Sequence, residues 1–198
     1  VPELCPETKR QAIRRRGGEW VELRVTGAHF DLAEQAGHDF AEAEGKFYFS
    51  SFDDPWLIAA NAGIGMEMLF QKPRLDMILS PAGGGALMNG VALGARSMVP
   101  EISVWGIQSV SSQPWIASWK SGKVQTVEYE PSLADGLMGS IPQTLLDLAK
   151  KRIAGVRAVR EESIAEAIAL LHREHHQVVE GAGAVGVAAL LEEVVPLE

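Results

Sequence analysis

This sequence of 198 residues has a single cysteine, no long apolar run and no excess of positive charge. Cys5 is the single cysteine, which excludes an internal disulfide and a zinc site built on several cysteines. No apolar run approaches the roughly 18 residues that a membrane-spanning helix needs. The net charge of −8 lacks the basic footprint that general nucleic-acid binding or an anionic membrane surface requires. A single cysteine also suits a reducing compartment, and we expect a cytoplasmic protein.

Helical and strand patterns alternate along the chain. Apolar residues make up 46% of it, which is typical of a globular protein with a sizeable core. Helices are predicted over 7–16, 29–45, 56–71, 86–97, 163–176 and 181–193, the fifth with a capping box of Ser163 and Glu166. Strands are predicted over 19–25, 46–50, 75–79 and 102–107. This alternation predicts an α/β fold with a parallel twisted sheet and helices on both faces.

Three consecutive glycines, Gly83, Gly84 and Gly85, stand between a predicted strand and a predicted helix. Backbone N–H groups of such a loop, together with the helix N-terminus, can bind an anion. A Cβ in the loop would block the close approach of that anion. Neither the Walker A motif nor the dinucleotide fingerprint fits, because Ala86, Leu87 and Met88 follow. A tight strand-to-helix turn without a ligand is the alternative.

Five segments together resemble the threonine/serine dehydratase family. They occur in the family order and span nearly the whole chain: "VPELCPETKRQAIRRRGGEWV", "FDDPWLIAANAGIGMEML", "PAGGGALMNG", "PSLADG" and "VVEGAGAVGVAALL". The segments 124–141 and 178–191 are most similar to the hydroxyectoine-utilisation dehydratases. The resemblance implies the tryptophan-synthase-β-like fold, known as fold type II of the pyridoxal-phosphate enzymes, in incomplete form. Residues 1–51 would be the remainder of the small domain and 52–198 most of the large, phosphate-binding domain.

The resemblance also implies pyridoxal 5′-phosphate as cofactor and assigns seven residues to its binding. Carried over by position, the phosphate would be held by the loop residues Gly83, Gly84, Gly85, Ala86 and Leu87, and the ring would lie near Gly136 and Glu180. Glu180 has a second interpretation, as a carboxylate favoured at a helix start by the helix dipole.

Three of the family's segments are not found in this sequence, among them the one with the lysine that forms a Schiff base with the cofactor. Lys120 follows a serine in a Ser-x-Lys pattern but lacks the subsequent Arg-Gly, and we expect it on the surface. We therefore expect no covalent attachment and no catalytic residue within this chain. Gln108 replaces the glutamate that opens a cation site in some relatives, so no metal is predicted. His172 and His176 are expected to be surface residues.

The resemblance implies a dehydratase that eliminates water and ammonia from a β-hydroxy amino acid such as threonine or serine, leaving a 2-keto acid. This chain would be inactive alone and would hold the phosphate. The alternatives are a non-catalytic remnant or assembly partner, a β-replacement enzyme similar to cysteine synthase, and a generic phosphate-binding domain. Because a sheet with missing strands exposes its edges, we expect a homo-oligomer or a partner chain.

Overall fold

A computed structural model of the chain describes residues 1–196, which form two compact units, one over Val1–Phe49 and one from Ser50 onward. The helices are α1 (Glu7–Gly17), α2 (Phe30–Ala43), α3 (Pro55–Gln71), α4 (Ala86–Met98), α5 (Pro114–Ser121), α6 (Gln143–Arg152), α7 (Glu161–His175) and α8 (Gly181–Leu191). The strands are β1 (Met77–Pro81), β2 (Ser103–Ser109) and β3 (Gly155–Val159), and single 3₁₀ turns cover Gly18–Trp20 and Asp135–Leu137. That the two units are the small and large domains of the family stays a prediction.

The second unit contains a parallel three-stranded sheet in the order β1-β2-β3. Leu79 of β1 lies opposite Trp105, and Ile107 of β2 lies opposite Arg157 of β3. The carboxyl ends of all three strands therefore meet at one edge of the sheet, where ligands bind in open parallel α/β folds.

Helices cover both faces of this sheet. On one face, Val104 and Val156 belong to a buried cluster that includes side chains of α3, α4, α5 and α6. On the other face, Trp105, Ile107 and Val159 pack with α7 and α8. This arrangement confirms the predicted α/β architecture with helices on both faces of a parallel sheet.

Helix α3 begins as its sequence indicates. Pro55 occupies the first turn, where a missing N–H costs no hydrogen bond. The Asp54 carboxylate accepts hydrogen bonds from the N–H groups of Trp56 and Leu57 at 2.8 and 3.1 Å. The helix start is thus set immediately after residues 50–53, of which Phe52 lies against Gly84 of the glycine loop.

Helices α3 and α4 cross at unusually close range because glycines stand at their contact. A Cβ at Gly65 would lie 2.3 Å from the Val91 carbonyl oxygen, and one at Gly94 would lie 1.9 Å from that of Ala62. Gly63, in the same helix as Gly65, faces open space. The two interior glycines weaken the prediction of α3 from sequence, yet one of them is what allows the helix to pack.

Two predicted strands of the first unit are wrong. Residues 19–25 and 46–50 form no strand among the described residues. A strand needs a partner for its backbone groups. Near 19–25 the hydrogen bonds are few: the N-terminal amine of Val1 donates to the Arg24 carbonyl and the Thr26 N–H to the Val1 carbonyl. The alternating apolar side chains find no core either, and Trp20 and Phe47 are more than four-fifths exposed.

The predicted capping box at Ser163 is also wrong, because α7 begins two residues earlier, at Glu161. Ser163 lies inside the first turn and is buried. Helices α5 and α6 and strand β3 were not predicted, since each is short and β3 alternates incompletely between buried and exposed positions. Among the described residues, no helix combines the length and apolarity needed to cross a bilayer.

The contact between α3 and α4 can be tested by a matched pair of substitutions. Gly65→Ala places a methyl group against the backbone of α4, and we expect it to lower the free energy of unfolding by roughly 1–3 kcal/mol. Gly63→Ala meets no neighbour and should raise that free energy by up to about 1 kcal/mol, because alanine is the better helix former. Urea denaturation of both variants measures the difference. Equal effects of the two substitutions would contradict the close crossing.

Candidate functional site

A cavity of about 510 Å³ lies in the second unit, where β1 leads into α4 at the carboxyl edge of the sheet. All seven residues selected from the sequence line it, namely Gly83, Gly84, Gly85, Ala86, Leu87, Gly136 and Glu180. The other lining residues are Ser51, Phe52, Leu57, Asn61, Pro81, Leu137, Ala182 and Gly183. Residues from four separate segments of the chain are thereby brought together, although what each of them binds stays a prediction.

The glycine loop contributes a row of backbone donors to this cavity. Within residues 1–196, the N–H groups of residues 83–87 donate no hydrogen bond to another protein group. Gly85 has φ 108°, in the left-handed region that favours glycine, and precedes the first turn of α4 without a side-chain cap. The unsatisfied donors and the positive end of the helix dipole therefore coincide.

The glycines of this loop have a reason besides a ligand. A Cβ at Gly84 would lie 2.4 Å from Cγ of Phe52, and one at Gly85 would lie 2.5 Å from Cζ2 of Trp115. A Cβ at Gly83 would lie 3.1 Å from the Gly136 carbonyl oxygen. At Gly84 and Gly85 the protein's own aromatic side chains therefore already exclude a Cβ, and the expectation that an anion needs the same space stays a prediction.

A second helix N-terminus, that of α8, lies at the same cavity. Glu180 is the residue before its first turn, is exposed, and makes no capping hydrogen bond with its side chain. A Cβ at Gly181 would lie 2.1 Å from the Leu133 carbonyl oxygen, so α8 starts in close contact with the segment before Gly136. Among the described lining residues, Glu180 is the one with a charged side chain, so an anion could be attracted there only by backbone N–H groups and the two helix N-termini.

Glu161, which sequence reasoning did not select, holds the segment that carries Gly136. Its carboxylate accepts hydrogen bonds from the Ser132 hydroxyl and the Leu133 N–H, both at 2.7 Å, and from the Ser109 hydroxyl at the end of β2. The turn Asp135–Leu137 follows directly along the chain. A carboxylate at the start of α7 therefore ties the end of β2 to the wall of the cavity.

Comparison with known proteins shows the family to which the chain belongs. The profile of the family described as pyridoxal-phosphate dependent enzyme matches residues 1–197. The chain belongs to this family of pyridoxal-phosphate-dependent enzymes. The match confirms the fold type inferred from the five sequence segments. It also confirms that the cofactor of the chain's family is pyridoxal 5′-phosphate.

Several similar sequences are named as threonine ammonia-lyases or threonine dehydratases. The chain is 37% identical to the L-threonine ammonia-lyase of Thermotoga maritima over 194 residues, which are 98% of this chain and 48% of that protein. It is 31% identical to the catabolic L-threonine dehydratase of Escherichia coli K12, covering 96% of this chain and 57% of that protein. Maize serine racemase superposes with a TM-score of 0.89 at 25% identity, covering 96% of this chain and 57% of its own. The chain spans about half the length of the curated relatives it matches.

The cavity fits the phosphate end of a pyridoxal-phosphate cofactor. A phosphate monoester offers only acceptors at neutral pH, and the loop offers donors that have no acceptor in the described protein. A volume of about 510 Å³ lies within the range of small-molecule pockets.

The sequence has seven lysines, and none of them belongs to the described lining of the cavity. Lys120 is exposed, as predicted, and the Lys150 ammonium donates to the Trp119 carbonyl at 3.0 Å. His172 and His176 are exposed on and just after α7, which confirms that they are surface residues. No cluster of three or more potential metal-binding side chains occurs within residues 1–196.

The carboxylate of Glu161 predicts a pH-dependent stability. Burial raises the pKa of Glu161, but the hydrogen bonds it accepts from Ser109, Leu133 and Ser132, together with the influence of the Ser111 hydroxyl, lower it by more. The pKa therefore lies below the ordinary glutamate value. A depressed pKa contributes stability above the unfolded-state pKa of about 4.3 and loses it as the pH falls toward the folded-state pKa.

We therefore expect Glu161→Gln to lower the free energy of unfolding at neutral pH and to differ less from the parent protein as the pH falls below about 4.3. Guanidinium denaturation at several pH values measures this difference. Glu162→Gln is the matched control, since Glu162 is an exposed carboxylate in the same turn. A deficit of Glu161→Gln that is independent of pH would contradict a stabilising charge at this position.

Proposed function

We propose that this chain forms the phosphate-binding part of a pyridoxal-phosphate-dependent ammonia-lyase. The enzyme would eliminate water and ammonia from a β-hydroxy amino acid such as threonine or serine and release a 2-keto acid. One observation carries the proposal: consecutive N–H groups of residues 83–87 have no acceptor in the described protein and line a cavity at the start of α4. The names of the relatives support the reaction class.

The residue roles follow from the placement of the donors. Gly83, Gly84, Gly85, Ala86 and Leu87 would hold the phosphate through their N–H groups. Gly136 and Glu180, on the remaining wall, would lie beside the ring. A loop of backbone donors suits this task, because its N–H groups stabilise the charge of a phosphate by hydrogen bonds without a flexible cationic side chain.

The cofactor and the residues of this chain would have different tasks in the reaction. The cofactor, when bound, supplies the electron sink that allows the α-proton to leave. The described residues would bind its phosphate, fix its position relative to the wall formed by Phe52 and Leu137, and limit the access of water on that side. Covalent attachment of the cofactor needs a lysine amine, and none lies in the described lining, so we expect this chain alone to bind the cofactor without covalent attachment.

A β-replacement reaction is the alternative on the same fold. Both sequence relatives described above are named for loss of ammonia or water from threonine, which favours the dehydratase. Membership of the hydroxyectoine-utilisation subgroup within the dehydratases stays a prediction. An amino acid is the substrate class that either reaction requires.

The proposal also covers association with another chain and a cytoplasmic location. Strands β1 and β3 each pair with only one other strand among the described residues, and Trp56 and Phe70 of α3 are at least 70% exposed. Open strand edges and exposed apolar side chains favour association, so we propose a homo-oligomer or a partner chain. A single cysteine is consistent with a cytoplasmic location.

The direct test is a titration of the 198-residue chain with pyridoxal 5′-phosphate, followed by borohydride reduction and intact mass. Saturable binding without a reducible adduct is the expected result. An adduct mapped to one lysine would contradict the assignment of non-covalent binding, and no binding would reject the cofactor site. A second assay distinguishes elimination from replacement and uses a preparation in which a Schiff-base lysine is also present. Elimination forms a 2-keto acid from L-threonine or L-serine, whereas replacement forms cysteine from O-acetylserine and sulfide.

A charge placed in the loop tests the phosphate assignment. Leu87→Asp and Leu87→Asn differ by one negative charge in the first turn of α4, where an acidic residue is compatible with the helix. We expect Leu87→Asp to bind pyridoxine 5′-phosphate at least about tenfold more weakly than Leu87→Asn, because like charges repel at short range. Binding of pyridoxine, which lacks the phosphate, should be similar in both variants. Isothermal titration calorimetry measures both ligands, and a similar loss for both would argue against a phosphate at this loop.

A further inference from the structure

Gln108, near the carboxyl end of β2, is fully buried, and both its amide nitrogen and its amide oxygen make hydrogen bonds. Its Nε2 donates to the Ala82 carbonyl at 3.3 Å. Its Oε1 accepts from the N–H groups of Trp115 and Ile116 at 3.1 and 3.3 Å. The partners dictate this orientation, because a carbonyl can only accept and an N–H can only donate. The side chain thus links the residue before the glycine loop to the first turn of α5.

Trp115, in that first turn, makes a second link to the loop. It is fully buried, and its indole Nε1 donates to the Gly83 carbonyl at 2.6 Å. The Cζ2 atom of its ring lies only 2.5 Å from the position that a Cβ at Gly85 would occupy. Gln108 therefore positions the start of α5, and α5 positions an indole directly against the loop.

These two hydrogen bonds determine where the loop's N–H groups point. In a planar trans peptide, the carbonyl of one residue and the N–H of the next point in opposite directions. The structure has no cis peptide bond among its described residues. Holding the Ala82 carbonyl toward Gln108 therefore directs the Gly83 N–H the other way, and holding the Gly83 carbonyl toward Trp115 does the same for the Gly84 N–H.

We propose that Gln108 and Trp115 are positioning residues that orient the N–H groups of Gly83 and Gly84 toward the phosphate. The inference rests on the proposed function, since it assumes that the loop binds that group. Neither side chain belongs to the cavity lining. They act on the ligand through the two peptide planes, and they have no direct contact with it.

The chain contains a matched control for the indole. Trp115→Phe removes the Nε1–H donor and keeps most of the ring. Trp105→Phe makes the same chemical change at another buried tryptophan, whose Nε1 has no hydrogen-bond partner among the described residues. Trp105 packs in the cluster with α7 and α8, on the opposite face of the sheet. A loss confined to Trp115→Phe would therefore report the hydrogen bond to the loop.

Pyridoxine 5′-phosphate and pyridoxine are suitable probes for calorimetry on the full chain, because neither has the aldehyde that reacts with surface lysines. We expect Trp115→Phe to weaken binding of pyridoxine 5′-phosphate by roughly three- to tenfold, the effect of one lost hydrogen bond, and to leave pyridoxine binding unchanged. Trp105→Phe should change neither. Equal affinity of the parent and Trp115→Phe for pyridoxine 5′-phosphate, or equal losses for both probes, would overturn the proposal.

Gln108→Glu gives an independent readout through pH. The introduced carboxylate can still accept from α5, but when ionised it has no proton to donate to the Ala82 carbonyl. Protonation restores that donor. All three groups that bond to the Gln108 side chain are backbone groups, so the new carboxyl is the titrating group that distinguishes variant from parent.

We expect the affinity of Gln108→Glu for pyridoxine 5′-phosphate, divided by that of the parent protein at the same pH, to rise as the pH is lowered from about 8 to about 5. A ratio that stays constant or falls would count against an orienting donor at this position. A parent chain that binds neither probe would reject the proposed function and the inference with it. A parent that binds pyridoxine 5′-phosphate, with Trp115→Phe unaffected, would reject the inference alone.

Discussion

The hydrogen bond from the Trp115 indole to the Gly83 carbonyl connects the parts of the second unit on which the candidate site depends. A peptide carbonyl that is bonded inside the protein turns the following N–H outward, and the next residues continue into the unsatisfied first turn of α4. The same indole occupies the space beside Gly85, so the left-handed backbone and the aromatic packing support each other. The protein thus holds the loop from one side, and under the proposed function the N–H groups on its other side would bind the phosphate.

The rest of the scaffold brings three further walls to this loop. The cap of α3 at Asp54 follows Phe52, whose ring packs on Gly84. Glu161 ties the end of β2 to the segment before Gly136 by hydrogen bonds. The close start of α8 at Gly181 then brings a second helix N-terminus to the same cavity. Each wall is set by a short-range polar or steric contact, while the parallel sheet determines that all of them lie at one edge.

Much of the fold could be predicted from local pattern alone. The alternation of helix and strand, the helix start at Asp54-Pro55 and the glycine loop itself all depend on residues within a few positions of one another. The strands predicted at 19–25 and 46–50 were wrong, because an alternating pattern does not show whether a neighbouring strand is present to pair with. The capping box at Ser163 was wrong because Arg160 and Glu161 already begin the helix. Strand β3 was missed because its neighbour β2 lies about 50 residues away in sequence and its own pattern is weak.

From its own residues the sequence determined the α/β class, and from its motifs the family and the seven residues that meet at one cavity. Short motifs suffice for this, since glycine conformation, helix starts and the order of segments are local properties. Only the tertiary structure decided why Gly84 and Gly85 are glycines, where Gly136 lies, and that Gln108, Trp115 and Glu161 support the site. The contacts of these residues with the loop and with the segment around Gly136 join positions 26 to 53 residues apart in sequence. Packing at that range follows from the whole sheet and its helices, which no local pattern contains.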